Sequence, residues 1–106
     1  MLSVARGSLG DIEQPLHAQL AENVARQMQS LRDAATRLDL DVVAFAAHSL
    51  RGTVASLGAT EMAAVCQQIE DCARTGELGD LDRLLGELER HAAEVAAALA
   101  LAAADS

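Results

Sequence analysis

The chain has 106 residues, enough for one domain with one core but too few to hold a nucleotide-binding domain as well. Its composition is 51 % hydrophobic and rich in the helix formers Ala, Leu, Glu and Arg, with a single Phe and no Trp or Tyr, so an all-α fold is expected. Sixteen acidic against eight basic residues give a net charge of −8, which repels nucleic-acid phosphates and argues against such a partner.

The composition also predicts a cytoplasmic protein. No apolar run reaches the roughly 18 to 20 residues of a membrane-spanning helix, so no membrane contact is expected for this segment. Residues 1–7 lack the apolar middle section of a secretory signal. Cys66 and Cys72 lie on different faces of one predicted helix and cannot bridge each other, so we interpret both as reduced thiols, with Cys66 in the core.

Residues 1–10 show no sustained hydrophobic period, and we interpret them as a flexible N-terminal arm or a cloning remnant. Residues 11–106 then form the single domain. The first helix is predicted to start at Asp11 or Pro15, because proline is favoured in a first helical turn. Its apolar residues recur every three or four positions: Leu16, Leu20, Val24, Met28, Leu31, Ala35 and Leu38.

Turn residues separate three further amphipathic helices. Asp39 or Asp41 can cap the second helix, Gly58 and Gly76 are predicted to end the second and third, and Asp80 is predicted to cap the fourth. The apolar stripes are Leu40, Val43, Ala47, Leu50, Val54 and Leu57, then Met62, Val65, Cys66, Ile69 and Ala73, then Leu81, Leu84, Leu85, Leu88, Ala92, Val95 and Leu99. Four such helices with short connections predict an antiparallel up-down-up-down four-helix bundle.

The second helix carries the candidate site. His48 lies away from the centre of the apolar stripe, so its imidazole is predicted to face solvent. Arg51 and Gly52, three and four residues later, fall beside it on the adjacent turn. Ala44 and Ala55 flank the histidine with small side chains.

Phe45 is the only aromatic residue and is placed one turn before His48. On the helical wheel it points outward, where an apolar ring beside a reactive group indicates a docking contact. The alternative is that Phe45 turns inward and belongs to the core.

The stretch from His48 to Gly58 resembles the signature of the histidine-containing phosphotransfer (HPt) family. That signature is usually His-x-Leu-Lys-Gly, small residues, and Leu-Gly about ten residues past the histidine. Here it runs His48-Ser49-Leu50-Arg51-Gly52-Thr53-Val54-Ala55-Ser56-Leu57-Gly58. The likeness continues over about a third of the chain, through Ala59, Met62, Cys66, Ile69-Glu70, Ala73-Arg74 and Gly76.

The resemblance implies a four-helix phosphocarrier of a multistep phosphorelay with no kinase activity of its own. His48 would accept the phosphoryl group, since a solvent-facing imidazole has a free lone pair at neutral pH. Arg51 would stabilise the phosphoryl oxygens where the family usually has Lys, and Gly52 would let a partner approach closely. Glu70 and Arg74, on the third helix, occupy positions where the family often presents polar residues toward the histidine.

The partners implied by the resemblance are receiver domains of response regulators, with a hybrid histidine kinase as a further candidate. A receiver would bring the accepting aspartate and its Mg²⁺, so no cofactor is expected on this chain, which we expect to be a monomer. Whether the chain is a free protein or a segment of a hybrid kinase stays open.

Two alternatives compete with this interpretation. The phosphoacceptor domain of a sensor histidine kinase typically has the box His-Glu-Leu-Arg-x-Pro; His48, Leu50 and Arg51 fit it, but Ser49 replaces the glutamate and the proline is missing. A helical adaptor without phosphorylation would tolerate the loss of His48.

A metal-binding bundle is not expected. Di-iron bundles use Glu-x-x-His pairs, and the residues three before the three histidines are Gln14, Phe45 and Leu88. His17 and His91 are interpreted as solvated or helix-flanking side chains.

Overall fold

The computed structural model describes the backbone of residues 2–105 and the side chains of residues 18–102 and 104. Its helices are α1 (Leu2–Thr36), α2 (Leu40–Ser56), α3 (Thr60–Thr75) and α4 (Leu81–Asp105), and residues 2–105 contain no strand. The predicted all-α fold with four helices is confirmed.

The N-terminal boundary differs from the sequence prediction. The hydrophobic pattern places the start of the first helix at Asp11 or Pro15, whereas α1 begins at Leu2. The arm predicted for residues 1–10 and the side chain of His17 lie outside the residues whose side chains are described. Their interpretation stays a prediction.

Glycines end α2 and α3, as the sequence predicts. Gly58 and Gly76 adopt φ of +81° and +78°, the left-handed region that glycine enters without strain from a Cβ atom. Gly58 donates its N–H to the carbonyl of Ala55 at 3.0 Å, and Gly76 donates to the carbonyl of Cys72 at 2.9 Å. These bonds satisfy carbonyls that would otherwise be unpaired in the last helical turn.

The turn between α1 and α2 uses a leucine where the other two use glycine. Leu38 has φ of +54°, and its side chain is 61 % exposed. Its predicted place on the apolar stripe is therefore wrong. The N–H of Asp39 closes the turn on the carbonyl of Ala34 at 2.9 Å, and Ala34 is fully buried. Asp39 is the N-cap of α2, but its carboxylate makes no capping hydrogen bond.

The four helices pack as a ring. Among the described residues, α1 lies beside α2 and α4, and α3 lies beside the same two helices, whereas the backbones of the diagonal pairs stay more than 8 Å apart between Cα atoms. One core fills the centre; its largest fully buried side chains are Leu31, Leu50, Met62, Ile69, Leu84, Leu88, Val43, Val54 and Cys66. No helix within the described part of the chain is long and apolar enough to cross a bilayer.

The cysteines are free, as predicted, with Cys66 buried and Cys72 half-buried. Burial raises the pKa of the Cys66 thiol to about 12. The thiol therefore stays protonated near neutral pH and acts as a small apolar core residue.

Candidate functional site

The candidate site lies along the seam between α2 and α3. His48 projects from α2 with 56 % of its side chain exposed, which confirms the predicted solvent-facing position. Its Nδ1 atom lies 3.3 Å from Oε1 of Glu70 on α3. The sequence-predicted pair of His48 and Glu70 is thus brought together across the helix seam.

Glu70 is a buried acid, with only 6 % of its side chain exposed. Arg74, one turn further along α3, donates from Nε and Nη2 to the Oε2 atom of Glu70 at 2.9 and 2.7 Å. Burial disfavours the charged form of Glu70, but hydrogen bonds from Arg74 and His48, and their positive charges, outweigh burial and lower the pKa of Glu70 from its usual value. Glu70 is therefore ionised at neutral pH.

The ionised Glu70 favours one tautomer of His48. A carboxylate only accepts hydrogen bonds, so the proton belongs on Nδ1, where it can be donated to Oε1. The Nη2 atom of Arg51 also lies 3.1 Å from Nδ1 and could donate to it if Nδ1 were unprotonated. In that tautomer, however, the Nδ1 lone pair would also face the buried negative charge of Glu70, and Arg51 does not depend on Nδ1 because it has another acceptor in Oε1 of Gln67. With the proton on Nδ1, the lone pair of the neutral ring is on Nε2.

Arg51 reaches from α2 back to α3. Its Nη1 atom donates to Oε1 of Gln67 at 2.6 Å, and Nε2 of Gln67 donates to Oδ1 of Asp71 at 3.0 Å. Sequence reasoning missed Gln67 and Asp71. The signal was present: Gln67 precedes Glu70 by three residues and Arg74 by seven, a spacing that puts all three side chains on one face of α3.

The remaining predicted site residues form the surroundings of His48. Phe45 is 71 % exposed, so its outward position is confirmed and the core alternative is wrong. Ala55 and Gly52 are exposed, and a Cβ atom added to Gly52 would meet nothing within 4 Å. Ala44 is buried, but it lines a groove of about 370 Å³ beside the histidine; the other lining residues are Leu40, Asp41, Phe45, His48, Ala73 and Arg74.

The other described histidine has a different environment. The side chain of His91 is 16 % exposed, less than a solvated position implies, and its Nδ1 atom lies 3.4 Å from Oε1 of Glu94 on the same helix. No group of three or more His, Cys, Asp or Glu side chains within the described residues is arranged to hold a metal ion.

Comparisons with known proteins agree with the geometry. The family model of the Hpt domain matches residues 15–98, so the chain belongs to the Hpt family. Among solved structures, histidine-containing phosphotransfer protein B of Pseudomonas aeruginosa PAO1 is similar, with a TM-score of 0.86 and 25 % sequence identity over 99 % of this chain and 91 % of that chain. No curated protein sequence matches the chain.

Family membership confirms the resemblance drawn from the residues His48 to Gly58. It makes the chain a helical phosphorelay signalling domain, and Hpt proteins are carriers of phosphoryl groups rather than kinases. Their partners in phosphorelays are receiver domains.

Proposed function

We propose that this chain is a histidine phosphotransfer module of a two-component multistep phosphorelay, accepting a phosphoryl group on Nε2 of His48 and passing it on. The observation that carries the proposal is the contact of His48 Nδ1 with the buried, ionised Glu70. It orients the ring and favours the lone pair on Nε2. The donor would be the phosphorylated aspartate of one receiver, and the acceptor the aspartate of another.

The transfer step uses few groups of this chain. The Nε2 lone pair attacks phosphorus, a P–N bond forms, and the P–O bond to the receiver aspartate breaks so that the aspartate leaves as a carboxylate. The ring keeps its Nδ1 proton and gains positive charge, which is stabilised by Glu70, 3.3 Å from Nδ1. Attack on phosphorus by a second receiver's aspartate reverses these changes.

Arg51 is the cation assigned to the phosphoryl oxygens. Its Nη2 atom lies 3.1 Å from Nδ1 of His48, on the ring whose Nε2 would carry the phosphoryl group, and its planar fork suits phosphate oxygens better than a point charge does. Mg²⁺ would be bound by the receiver and not by this chain. The contribution of this chain to the transfer would therefore consist of positioning and electrostatics.

The docking surface for the receiver is assigned to the exposed ring of Phe45, the adjoining groove at Ala44, and the open positions Gly52 and Ala55. Exposed apolar side chains become significant when they cluster next to a reactive group. Arg74 contributes a charged edge, since 60 % of its side chain is exposed although it is bonded to Glu70.

The proposal includes an antiparallel up-down-up-down arrangement, which the ring of contacts and the short connections 37–39, 57–59 and 76–80 support. It also includes a cytoplasmic, monomeric carrier that lacks autonomous kinase activity and binds no nucleic acid, in keeping with the small single domain and its net charge of −8.

The test compares His48→Gln with His91→Gln after incubation with a phosphorylated receiver. His48→Gln should abolish acid-labile labelling and retain the helical circular dichroism spectrum, because the exposed ring contributes little packing. His91→Gln should be labelled like the wild-type chain. Labelled His48→Gln would remove His48 from the reaction, and a wild-type chain that accepts no phosphoryl group from any receiver would favour the helical adaptor.

A further inference from the structure

Two arginines flank His48, and their partners differ in charge. Arg74 donates two hydrogen bonds to Oε2 of Glu70, an ionised carboxylate. Arg51 instead donates to Oε1 of Gln67 at 2.6 Å, a neutral amide. The guanidinium of Arg74 is therefore compensated by a full negative charge, whereas the guanidinium of Arg51 is held in place without compensation from that partner.

The amide of Gln67 is itself oriented. A glutamine side chain has a donor end and an acceptor end, and only the acceptor end can bond a guanidinium, which has donors alone. Asp71 supports this orientation because its carboxylate accepts from Nε2 of Gln67 at 3.0 Å, which keeps Oε1 turned toward Arg51. Asp71 thus influences Arg51 only through the neutral amide of Gln67.

The direction of Arg51 follows from this chain of contacts. With Nη1 bound to Gln67, the other end of the guanidinium fork, Nη2, is left 3.1 Å from Nδ1 of His48. A protonated Nδ1 is not an acceptor, so Nη2 remains available to phosphoryl oxygens carried on Nε2 of the same ring. Both side chains of the 2.6 Å contact are partly buried, which limits the alternative rotamers of Arg51. A fixed cation with its charge available is what a phosphoryl group on the ring requires.

We propose that Gln67 is a positioning residue for phosphotransfer, that it orients Arg51 toward the phosphoryl group of His48, and that its neutrality is required. The inference rests on the proposed function of His48. A carboxylate at position 67 would form an ion pair with Arg51, compete with the phosphoryl oxygens for it, and face Asp71 as a like charge one turn away.

The experiment measures the rate of transfer from a phosphorylated receiver and the lifetime of the phosphohistidine in the full chain. Gln67→Glu changes the charge at nearly constant shape, and Gln68→Glu adds the same charge at the exposed neighbouring position. We expect Gln67→Glu to slow transfer or shorten the lifetime about tenfold, the size of one partly screened charge-assisted hydrogen bond, and Gln68→Glu to resemble wild type.

A double-mutant cycle separates positioning from a general effect on α3. Gln67→Met removes the acceptor without adding charge, and we expect a loss of about threefold in the wild-type background. In the Arg51→Ala background the same change should have no further effect, because there is no guanidinium left to orient. This cycle also keeps the test decisive if Gln67→Glu lowers the helical content.

The outcomes distinguish the two proposals. Normal labelling of wild type together with equal rates for Gln67→Glu and Gln68→Glu would overturn the role of Gln67 and leave the proposed function intact. An undiminished effect of Gln67→Met in the Arg51→Ala background would assign Gln67 a structural role and overturn positioning. A wild-type chain without phosphorylation on His48 would overturn both.

Discussion

The α2–α3 pair and the α1–α4 pair share one core but are built differently. α2 and α3 have 17 and 16 residues, and their seam holds the charged cluster around Glu70. α1 and α4 have 35 and 25 residues. Their described seam is lined largely by small side chains and bridged by an exposed ion pair of Arg32 and Glu89.

The difference shows where polar burial is tolerated. Glu70 is the one charged residue that is buried among the described side chains, and it lies beside the candidate reaction centre. An ionised group removed from water destabilises a fold unless it is paired, so its presence needs its two partners. Under the proposed function, the α2–α3 pair would carry the chemistry, and the α1–α4 pair would contribute mainly to stability.

The strongest way to test this division is to damage the α1–α4 side. Leu88 on α4 is fully buried, and Leu88→Ala should lower the free energy of unfolding by about 2 to 5 kcal/mol, from lost apolar burial and the cavity left behind. At temperatures where the variant remains folded, the rate of phosphoryl transfer should be unchanged. Urea unfolding and a transfer assay measure the two quantities.

Leu101→Ala is the matched control for Leu88→Ala. It removes the same atoms from the same helix at a side chain that is 67 % exposed, so its effect on unfolding should stay within about 0.5 kcal/mol. A folded Leu88→Ala variant with strongly reduced transfer would contradict the separation of stability from chemistry.

The converse test uses two glycines inside helices. Gly52 on α2 and Gly86 on α4 are both exposed, and a Cβ atom at either would meet nothing within 4 Å. Replacing either by glutamine should stabilise its helix by up to about 1 kcal/mol, because glycine is a poor helix former. Gly52→Gln alone should slow transfer from a receiver, on the order of 100-fold if the added side chain displaces the reacting atoms by about 1 Å from their productive positions.

The choice of donor sharpens the comparison of the glycines. A small donor such as phosphoramidate needs no docking surface, so Gly52→Gln should react with it almost as wild type does. Gly86→Gln should transfer normally with both donors. An equal loss of Gly52→Gln with both donors, or none with a receiver, would show that the glycine does not serve the approach of a partner.

Local periodicity predicted the helices because burial of one face is a property of spacing within a single helix. It failed at Leu38, which continues the spacing of the apolar stripe but lies beyond the last turn of α1 with positive φ. A leucine there gives no sequence signal of a turn, unlike Gly58 and Gly76. The four amphipathic helices were therefore predictable, and this helix end was not.

The site was predictable in part for a related reason. His48, Arg51 and Gly52 are neighbours on one helix and match a family signature, so sequence alone brought them together. The partner of Arg51 is Gln67, 16 residues away on another helix, and the contact depends on how α2 and α3 pack. The near-complete burial of Glu70 depends on the same packing, and no local pattern contains it.

The smallest expected effect concerns acid stability on the α2–α3 side. Arg74 and His48 hold the pKa of Glu70 below its usual value of 4.5 despite burial, and the unfolded chain lacks those partners. Near and below pH 4.5 the unfolded state therefore binds more protons than the folded state, so the free energy of unfolding falls as the pH falls. The contribution of Glu70 is present in full above this range and is lost once the pH passes through the lowered pKa.

Glu70→Gln should flatten that acid limb, because glutamine does not titrate, although the variant starts from lower stability with Arg74 unpaired. Glu61→Gln, at the exposed start of the same helix, should keep the wild-type slope. Urea unfolding between about pH 3 and 6 measures how steeply the free energy of unfolding depends on pH in each variant. Wild type and Glu70→Gln should differ in this slope only if Arg74 and His48 stabilise the ionised form of Glu70. Identical slopes for wild type and Glu70→Gln would mean that Glu70 titrates alike in the folded and unfolded chains. The contacts from Arg74 and His48 would then contribute no net stabilisation to its charge, and the argument for the Nδ1–H tautomer of His48 would lose its electrostatic basis.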